Sequence, residues 1–96
     1  MAMWKYTINN GTALREAIED GSTEETVKCL LKCYNELKNK LSDEDMEDYG
    51  YDIEDTIDTL KWYVFSSDDE EDEENIDYYL AEFYDICDSV RAFISL

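Results

Sequence analysis

The amino-acid sequence predicts a mostly α-helical fold, a compact bundle of three to four helices with a short strand or arm at its N-terminus. Apolar residues recur at steps of three and four along most of the chain, which is the period of amphipathic helices. The sequence contains no proline and only three glycines, so few residues would interrupt a helix. Ser22 and Ser42 stand directly before acidic segments, where a helix N-cap is favoured.

The N-terminal segment predicts a short extended stretch followed by a helix. Residues 4–8 alternate loosely and are typical of a strand or an arm, although we find no partner for a strand elsewhere in the sequence. A turn is expected at residues 9–11, and the first helix then begins with Thr12 as its N-cap. Gly21 lies where a glycine commonly ends a helix.

The second helix has the clearest pattern. Ser22 and Glu25, three residues apart, fit a capping box at its start. Its buried stripe, which Leu31 widens, follows at steps of three and four: Val27, Leu30, Tyr34, Leu37 and Leu41. Its outer face carries half of the basic residues in the chain: Lys28, Lys32, Lys38 and Lys40.

A third helix is expected after Ser42, with acidic residues at the positive end of its dipole. Its apolar row is Met46, Tyr49, Ile53, Ile57, Leu60 and Val64. Gly50 either bends this helix or divides it into two pieces, and the pattern leaves both open.

The remaining sequence predicts an acidic loop and a final helix. Residues 66–74 hold nothing that can enter a core, and the last helix runs from about Asn75 to the C-terminal end. Its buried stripe, widened by Tyr79, Ile86 and Phe93, is Ile76, Leu80, Phe83, Cys87, Val90 and Ile94. Residues 1–96 are therefore expected to form a single acidic helical domain.

Acidic residues dominate the charge of the chain. There are 26 Asp and Glu residues against 8 Lys and Arg residues, which gives a net charge of −18. Residues 49–96 hold 15 acidic and 2 basic residues, a net charge of −13. Solubility needs a net charge of only about 2–8 in magnitude, so the acids must have another role. Such a surface repels phosphates, which excludes direct binding to nucleic acid or to an anionic membrane.

Other features predict a cytoplasmic protein. No stretch approaches the roughly 18 apolar residues of a membrane span, and the first residues lack the apolar core of a signal peptide. Cys29, Cys33 and Cys87 are an odd number and lack the spacing of a disulfide framework. Buried free thiols are the expected state of these cysteines.

Catalysis and metal binding have little support in the sequence. Without histidine there is no general base near neutral pH, and there is no glycine-rich phosphate loop. Residues 43–54 resemble an EF-hand calcium loop, but Asp48 stands where that loop requires glycine. The three cysteines lack a fourth nitrogen or sulfur ligand for zinc. We therefore expect a protein that is not an enzyme, with no catalytic residue, metal ligand or cofactor.

Carboxylates at helical spacing predict charged faces. Residues three or four apart on a helix have Cβ atoms about 5–6 Å apart. One row, on the third helix, is Asp45, Asp48, Asp52 and Asp55, with Glu44, Glu47, Glu54 and Asp58 beside it. A second row, on the last helix, is Glu74, Asp77, Asp85 and Asp88. Eighteen net charges on a globule about 35 Å across give roughly one per 2 Å, close to the 1.7 Å of duplex DNA.

Tyrosines such as Tyr49, Tyr51, Tyr78 and Tyr79 are interleaved with these rows. In this feature, and in its size, acidity and lack of histidine and proline, the chain resembles the small acidic DNA-mimic inhibitors that phages encode against restriction and CRISPR nucleases. The resemblance implies that carboxylates imitate phosphates and occupy the basic nucleic-acid-binding cleft of a nuclease in the host cytoplasm. The partner-binding residues expected on this basis are Asp45, Asp48, Asp52, Asp55, Asp58, Asp68, Asp69, Glu70, Glu71, Glu74, Asp77, Tyr78, Tyr79 and Asp85.

Two other functions stay open. Asp77, Tyr78 and Tyr79 resemble the Asp/Tyr-rich inhibitory helix of colicin-type immunity proteins, which implies an immunity protein or antitoxin that neutralises a basic toxin. A structural or adaptor subunit, whose acids only confer solubility, is the third hypothesis.

The aromatic residues near the end of the third helix predict a second contact. Residues 62–65 (Trp, Tyr, Val, Phe) are four consecutive apolar residues, and one helix face cannot bury all of them. Either Trp62 or Tyr63 is therefore expected at a homodimer interface or under the N-terminal arm beside Trp4.

Overall fold

A computed structural model describes residues 4–66 and 73–94. Within them the chain forms, in order, β1 (Tyr6–Ile8), α1 (Gly11–Asp20), α2 (Thr23–Lys40), α3 (Asp43–Ser66), α4 (Glu73–Val90) and β2 (Ala92–Ile94). The prediction of a mostly α-helical bundle with a short N-terminal strand is confirmed. No helix in this described part of the chain is long and apolar enough to cross a membrane.

Helix α2 is the centre of the fold, because α1, α3, α4 and β1 all pack against it. The whole predicted stripe is buried, with Leu41 at the C-cap of α2, and Leu30, Tyr34 and Leu37 are fully inaccessible. The Tyr34 ring stands edge-on to that of Phe83 on α4, with centroids 5.0 Å apart. The core is one cluster, and the helical period of the sequence predicted the part of it that the helices contribute, whereas Ile8 and Ala92 come from β1 and β2.

The ends of α1 and α2 follow local rules, with one correction. Gly21 has φ +74° and ends α1, as predicted, since glycine adopts this left-handed conformation without steric cost. The Ser22 hydroxyl accepts a hydrogen bond from the backbone N–H of Glu25 at 3.3 Å, which confirms the N-cap of α2. Thr12 is not the N-cap of α1, because the helix already begins at Gly11 and Asn10 occupies the cap position.

Helix α3 is one continuous helix of 24 residues, about 36 Å long at 1.5 Å per residue. The backbone N–H of Asp45 donates to the Ser42 hydroxyl at 3.3 Å, which confirms Ser42 as the N-terminal cap. The helix passes through Gly50 without a break. A Cβ atom at position 50 would lie 2.9 Å from Cε of Met46, so the missing side chain leaves room for that methionine.

The C-terminal end of the chain differs from the prediction. Helix α4 stops at Val90 and does not continue to the end, because Arg91 takes a left-handed conformation with φ +58°. Strand β2 then pairs with β1 in parallel, with Tyr6 opposite Ala92 and Ile8 opposite Ile94. Strand β2 is thus the partner that was not predicted for β1, and its Ile94 lies opposite the fully buried Ile8.

Both ends of the predicted loop at residues 66–74 are helical. Ser66 is the last residue of α3, and α4 begins at Glu73, two residues before the predicted start. Such shifts are within the usual spread of helix boundaries. Residues 67–72 lie outside the description.

Candidate protein-binding surface

The outward side of α3 is a continuous charged and aromatic surface. Steps of four, three, four and three lead from Glu44 through Asp48, Tyr51 and Asp55 to Asp58, and such steps return to the same side of a helix. Every residue of this line is exposed. We define the outer α3 face as this line with its exposed neighbours on the helix: Glu44, Glu47, Asp48, Tyr51, Asp52, Asp55, Asp58, Trp62 and Phe65.

The carboxylates of the outer α3 face have no basic partner within residues 4–66 and 73–94. The ion pairs of these residues engage two other acids of α3, Asp45 and Glu54. Helix α3 holds nine acidic residues and one basic residue, Lys61, in sequence. The six acids from Glu44 to Asp58 on the outer α3 face therefore form no ion pair within the described ranges, although Asp58 shares a crevice with Lys38 and Lys61.

Asp45 does not belong to this free set, although it was predicted as the first member of the row. Its Oδ2 atom accepts hydrogen bonds from the Lys5 ammonium at 2.7 Å and from the Tyr6 hydroxyl at 2.5 Å. Its side chain keeps only 16% of its accessible surface. The hydrogen bond from Lys5, and to a smaller extent the one from Tyr6, lowers the pKa of the Asp45 carboxyl. Asp45 therefore ties the N-terminal strand to α3 and is not available as a free carboxylate.

Helix α4 contributes an adjoining edge to the outer α3 face. The Thr56 hydroxyl lies 3.2 Å from Oε1 of Glu82, so the side of α4 that carries Glu82 faces α3. Tyr78 and Asp85 lie four residues before and three residues after Glu82, on the same side, and both are exposed. The predicted residues Tyr78 and Asp85 thus lie beside the α3 row.

Two other predicted residues of α4 lie differently, since Asp77 turns away from this edge and Tyr79 contacts the Tyr78 ring, with centroids 5.5 Å apart, from a half-buried position. Asp77 is exposed but lines a crevice of about 240 Å³ with the turn between α1 and α2, next to Ile18 and Ser22. Tyr79 is half-buried, and its ring stands edge-on to that of Tyr63 with centroids 6.0 Å apart. Burial raises the pKa of the Tyr79 hydroxyl. Tyr79 therefore joins α4 to α3 and does not present a free ring.

The remaining predicted site residues belong to the acidic segment between α3 and α4 and to the start of α4. Asp68, Asp69, Glu70 and Glu71 lie outside the described residues. Glu74 is in the first turn of α4, and the description does not extend to its side chain.

Three exposed aromatic side chains of α3 were not among the predicted site residues. Tyr51, Trp62 and Phe65 keep 80%, 58% and 80% of their accessible surface. Their spacing from Asp55 and Asp58 would have revealed them, since Trp62 follows Asp58 by four residues and Phe65 follows it by seven.

The aromatic side chains of residues 62–65, for which a second contact was expected, lie on two different sides of α3. Tyr63 turns inward to Tyr79, whereas Trp62 and Phe65 turn outward. Trp4 lies beside Phe93 of β2, with ring centroids 5.9 Å apart. The N-terminal arm therefore pairs with β2, and the aromatic residue that it meets is Phe93.

Half of the basic residues lie on α2, and three of these four form ion pairs. Lys28 lies 3.1 Å from Glu24, and Lys40 lies 2.7 Å from Glu36. Lys38 lies 2.6 Å from Glu54, which joins α2 to α3. Helix α2 thus carries three acids and four bases, so its charge is nearly balanced.

The three cysteines are buried free thiols, as expected. Burial raises the pKa of the Cys33 and Cys87 thiols to about 12, so they stay protonated at neutral pH. No group of three or more Cys, Asp or Glu side chains in the described ranges is arranged to hold a metal ion. Comparisons with protein-family models, with curated proteins and with solved structures found no match.

Proposed function

We propose that this protein is an acidic inhibitor that binds the basic nucleic-acid-binding cleft of a nuclease, with the outer α3 face in place of the nucleic-acid backbone. The observation that carries the proposal is the row of six carboxylates from Glu44 to Asp58, which form no ion pair with any described residue. Fourteen residues of helix span about 21 Å, so the row has one charge for about every 3.5 Å. One strand of DNA carries a phosphate every 3.4 Å or so.

The arrangement of the charges supports binding to a protein cleft more than simple solvation. A solvated helix face commonly mixes acidic and basic residues, which stabilise one another at i, i+4. The six acids of the outer α3 face form no ion pair in the described part of the chain. Arg15, Lys28 and Lys40 pair with acids of α1 and α2, and Lys5 and Lys38 pair with other acids of α3. Unpaired charges of one sign attract a basic partner over a distance of about 8–10 Å at physiological ionic strength.

The adjoining edge of α4 supports the same partner. Tyr78 keeps 65% of its accessible surface and lies on the side of α4 that carries Glu82 and Asp85. An exposed tyrosine among carboxylates is a common anchor in protein interfaces, because its ring contributes apolar area and its hydroxyl can form a hydrogen bond.

The test is a binding assay with two charge-neutralised variants. The first changes four residues of the outer α3 face: Asp48→Asn, Asp52→Asn, Asp55→Asn and Asp58→Asn. The matched control removes four exposed charges from α1 and α2: Glu16→Gln, Glu19→Gln, Asp20→Asn and Glu24→Gln. Both variants keep a net charge of −14. They differ in the position of the charges removed, and Glu19 and Glu24 of the control are also ion-paired, with Arg15 and Lys28.

Binding and inhibition are measured against a panel of purified RNA-guided CRISPR nucleases, restriction endonucleases and a colicin-type nuclease toxin. We expect the α3 variant to lose about ten-fold or more in association rate, and the control to lose much less. Duplex DNA should compete with the unchanged protein, and added salt should weaken the complex. An α3 variant that inhibits as well as the parent would disprove charge mimicry. Selective binding of the colicin-type toxin would favour the immunity-protein alternative.

A further inference from the structure

The acidic row of the outer α3 face ends in two exposed aromatic side chains. Trp62 and Phe65 keep 58% and 80% of their accessible surface, whereas Tyr63 and Val64 between them are half-buried. A tryptophan and a phenylalanine bury about 150–250 Å² each when fully covered, so the pair exposes on the order of 300 Å². This equals a large share of the biggest apolar patch found on a typical monomer.

The pair continues the acidic row and is not a separate patch. Trp62 lies one helical turn beyond Asp58, and Phe65 lies two turns beyond it, on the same side of α3. A partner that lies along the carboxylates from Glu44 to Asp58 therefore meets the two rings at the C-terminal end of the helix.

We infer that Trp62 and Phe65 insert into an apolar pocket at the rim of the basic cleft that the carboxylates occupy. This inference rests on the proposed function and adds a second chemistry to it. The partner surface is bipartite, with Lys and Arg residues opposite the acidic row and aliphatic or aromatic residues opposite the two rings. The carboxylates then govern the rate of encounter, and the rings govern the lifetime of the complex.

The charge of the chain favours such a partner over a second copy of the protein. Each copy carries a net charge of −18, and the one base of α3, Lys61, stands against the acids Asp55 and Asp58 that precede the rings and form no ion pair within the described residues. Self-association through the rings would bring these carboxylates together, and like charges repel strongly once water is excluded. A basic partner gains from the same carboxylates.

The decisive variant is Trp62→Ala with Phe65→Ala. The matched control is Trp4→Ala with Phe93→Ala, which also removes two half-exposed rings that contact one another. The ion pair of Lys5 with Asp45 places neighbouring Trp4 at the N-terminal end of α3, about 25 Å along the helix from Trp62. Circular dichroism and thermal unfolding of both variants establish that the fold is retained.

Association and dissociation rates are measured against whichever nuclease of the panel binds the unchanged protein. We expect the Trp62/Phe65 variant to dissociate about 30-fold faster or more, with an unchanged association rate and an unchanged dependence on salt. The Trp4/Phe93 variant should keep both rates.

Other outcomes separate the two proposals. A wild-type dissociation rate in the Trp62/Phe65 variant, with slow association in the Asp→Asn variant, would overturn this inference and leave the proposed function standing. Failure of every panel nuclease to bind the unchanged protein would overturn both. A dimer seen by analytical ultracentrifugation at 150 mM salt, abolished by Trp62→Ala with Phe65→Ala, would overturn the inference in favour of self-association.

Discussion

Two halves of the molecule differ in how their charges are arranged. The balanced half, α1 and α2, holds six acidic and five basic residues, a net charge of −1. The acidic half, α3 and α4, holds fifteen acidic residues and one basic residue, a net charge of −14. Both halves share one hydrophobic core and use the same helical period. The fold can therefore be built with balanced charges, and the acidity of α3 and α4 calls for a separate explanation in terms of binding.

The largest effect should come from the core that joins the halves. Changing Leu30, which is fully buried on α2, to Ala should lower the free energy of unfolding by about 2–5 kcal/mol. Because α2 packs against α1, α3 and α4, both halves should unfold in a single transition. Chemical denaturation followed by circular dichroism and by tryptophan fluorescence measures this.

The neighbouring residue provides the control for that experiment. Leu31 is half-buried, so Leu31→Ala should cost clearly less than Leu30→Ala. If the two spectroscopic probes gave different midpoints, the acidic half would be an independent unit and the comparison of two halves on one core would fail.

A middle-sized effect is expected at Glu36, the most heavily bonded carboxylate of the balanced half. Its two oxygens accept hydrogen bonds from the backbone N–H groups of Asn9 and Asn10 at 2.7 and 2.9 Å, from the Asn10 amide at 2.6 Å and from Lys40 at 2.7 Å. Partial burial raises the pKa of the Glu36 carboxyl, but the bonds from Lys40 and the two asparagines outweigh it and lower that pKa to about 2. We expect Glu36→Gln to lower the free energy of unfolding by about 1–3 kcal/mol.

The same carboxyl predicts a dependence on pH. Because folding lowers the pKa of Glu36, its stabilising contribution is complete above its ordinary pKa of 4.5 and is lost as pH falls towards 2. The difference in unfolding free energy between the unchanged protein and Glu36→Gln should shrink over that range. Denaturation curves at pH 7, 4 and 2.5 test this. A difference that stays constant across them would mean that the charge of Glu36 contributes nothing.

The sequence predicted what depends on local spacing and missed what depends on distant partners. Four helices and their buried stripes follow from steps of three and four, which involve neighbouring residues only. The pairing of β1 with β2 joins residues more than eighty positions apart, and a short apolar run such as Ala92–Ile94 fits a helix or a strand equally well.

The candidate surface shows the same limit. The exposed carboxylates from Asp48 to Asp58 were predicted because their spacing places them on the outside of α3. Asp45 has the same spacing, yet Lys5 and Tyr6 engage it from about forty residues away, which no local pattern indicates. Trp62 and Phe65 were not predicted as site residues, but the sequence was sufficient to predict them, because their spacing from Asp58 assigns them to the same face.

The smallest effect is expected from two neighbouring residues of α3 that differ only in pairing. Glu54 lies 2.6 Å from Lys38, and the two side chains keep 53% and 33% of their accessible surface. Asp55 has no basic partner in residues 4–66 and 73–94 and faces outward among other acids. Glu54→Gln removes an attraction, so it should lower the melting temperature slightly, as exposed ion pairs contribute only about 0–1 kcal/mol. Asp55→Asn removes a repulsion and should raise the melting temperature slightly.

Both shifts should vanish in high salt, because screening shortens the reach of charges to about 3 Å at 1 M. Calorimetric melting of the two variants at low and high salt gives the comparison. If both changes moved the melting temperature in the same direction, the explanation that the two halves differ in the ion pairing of their charges would be wrong.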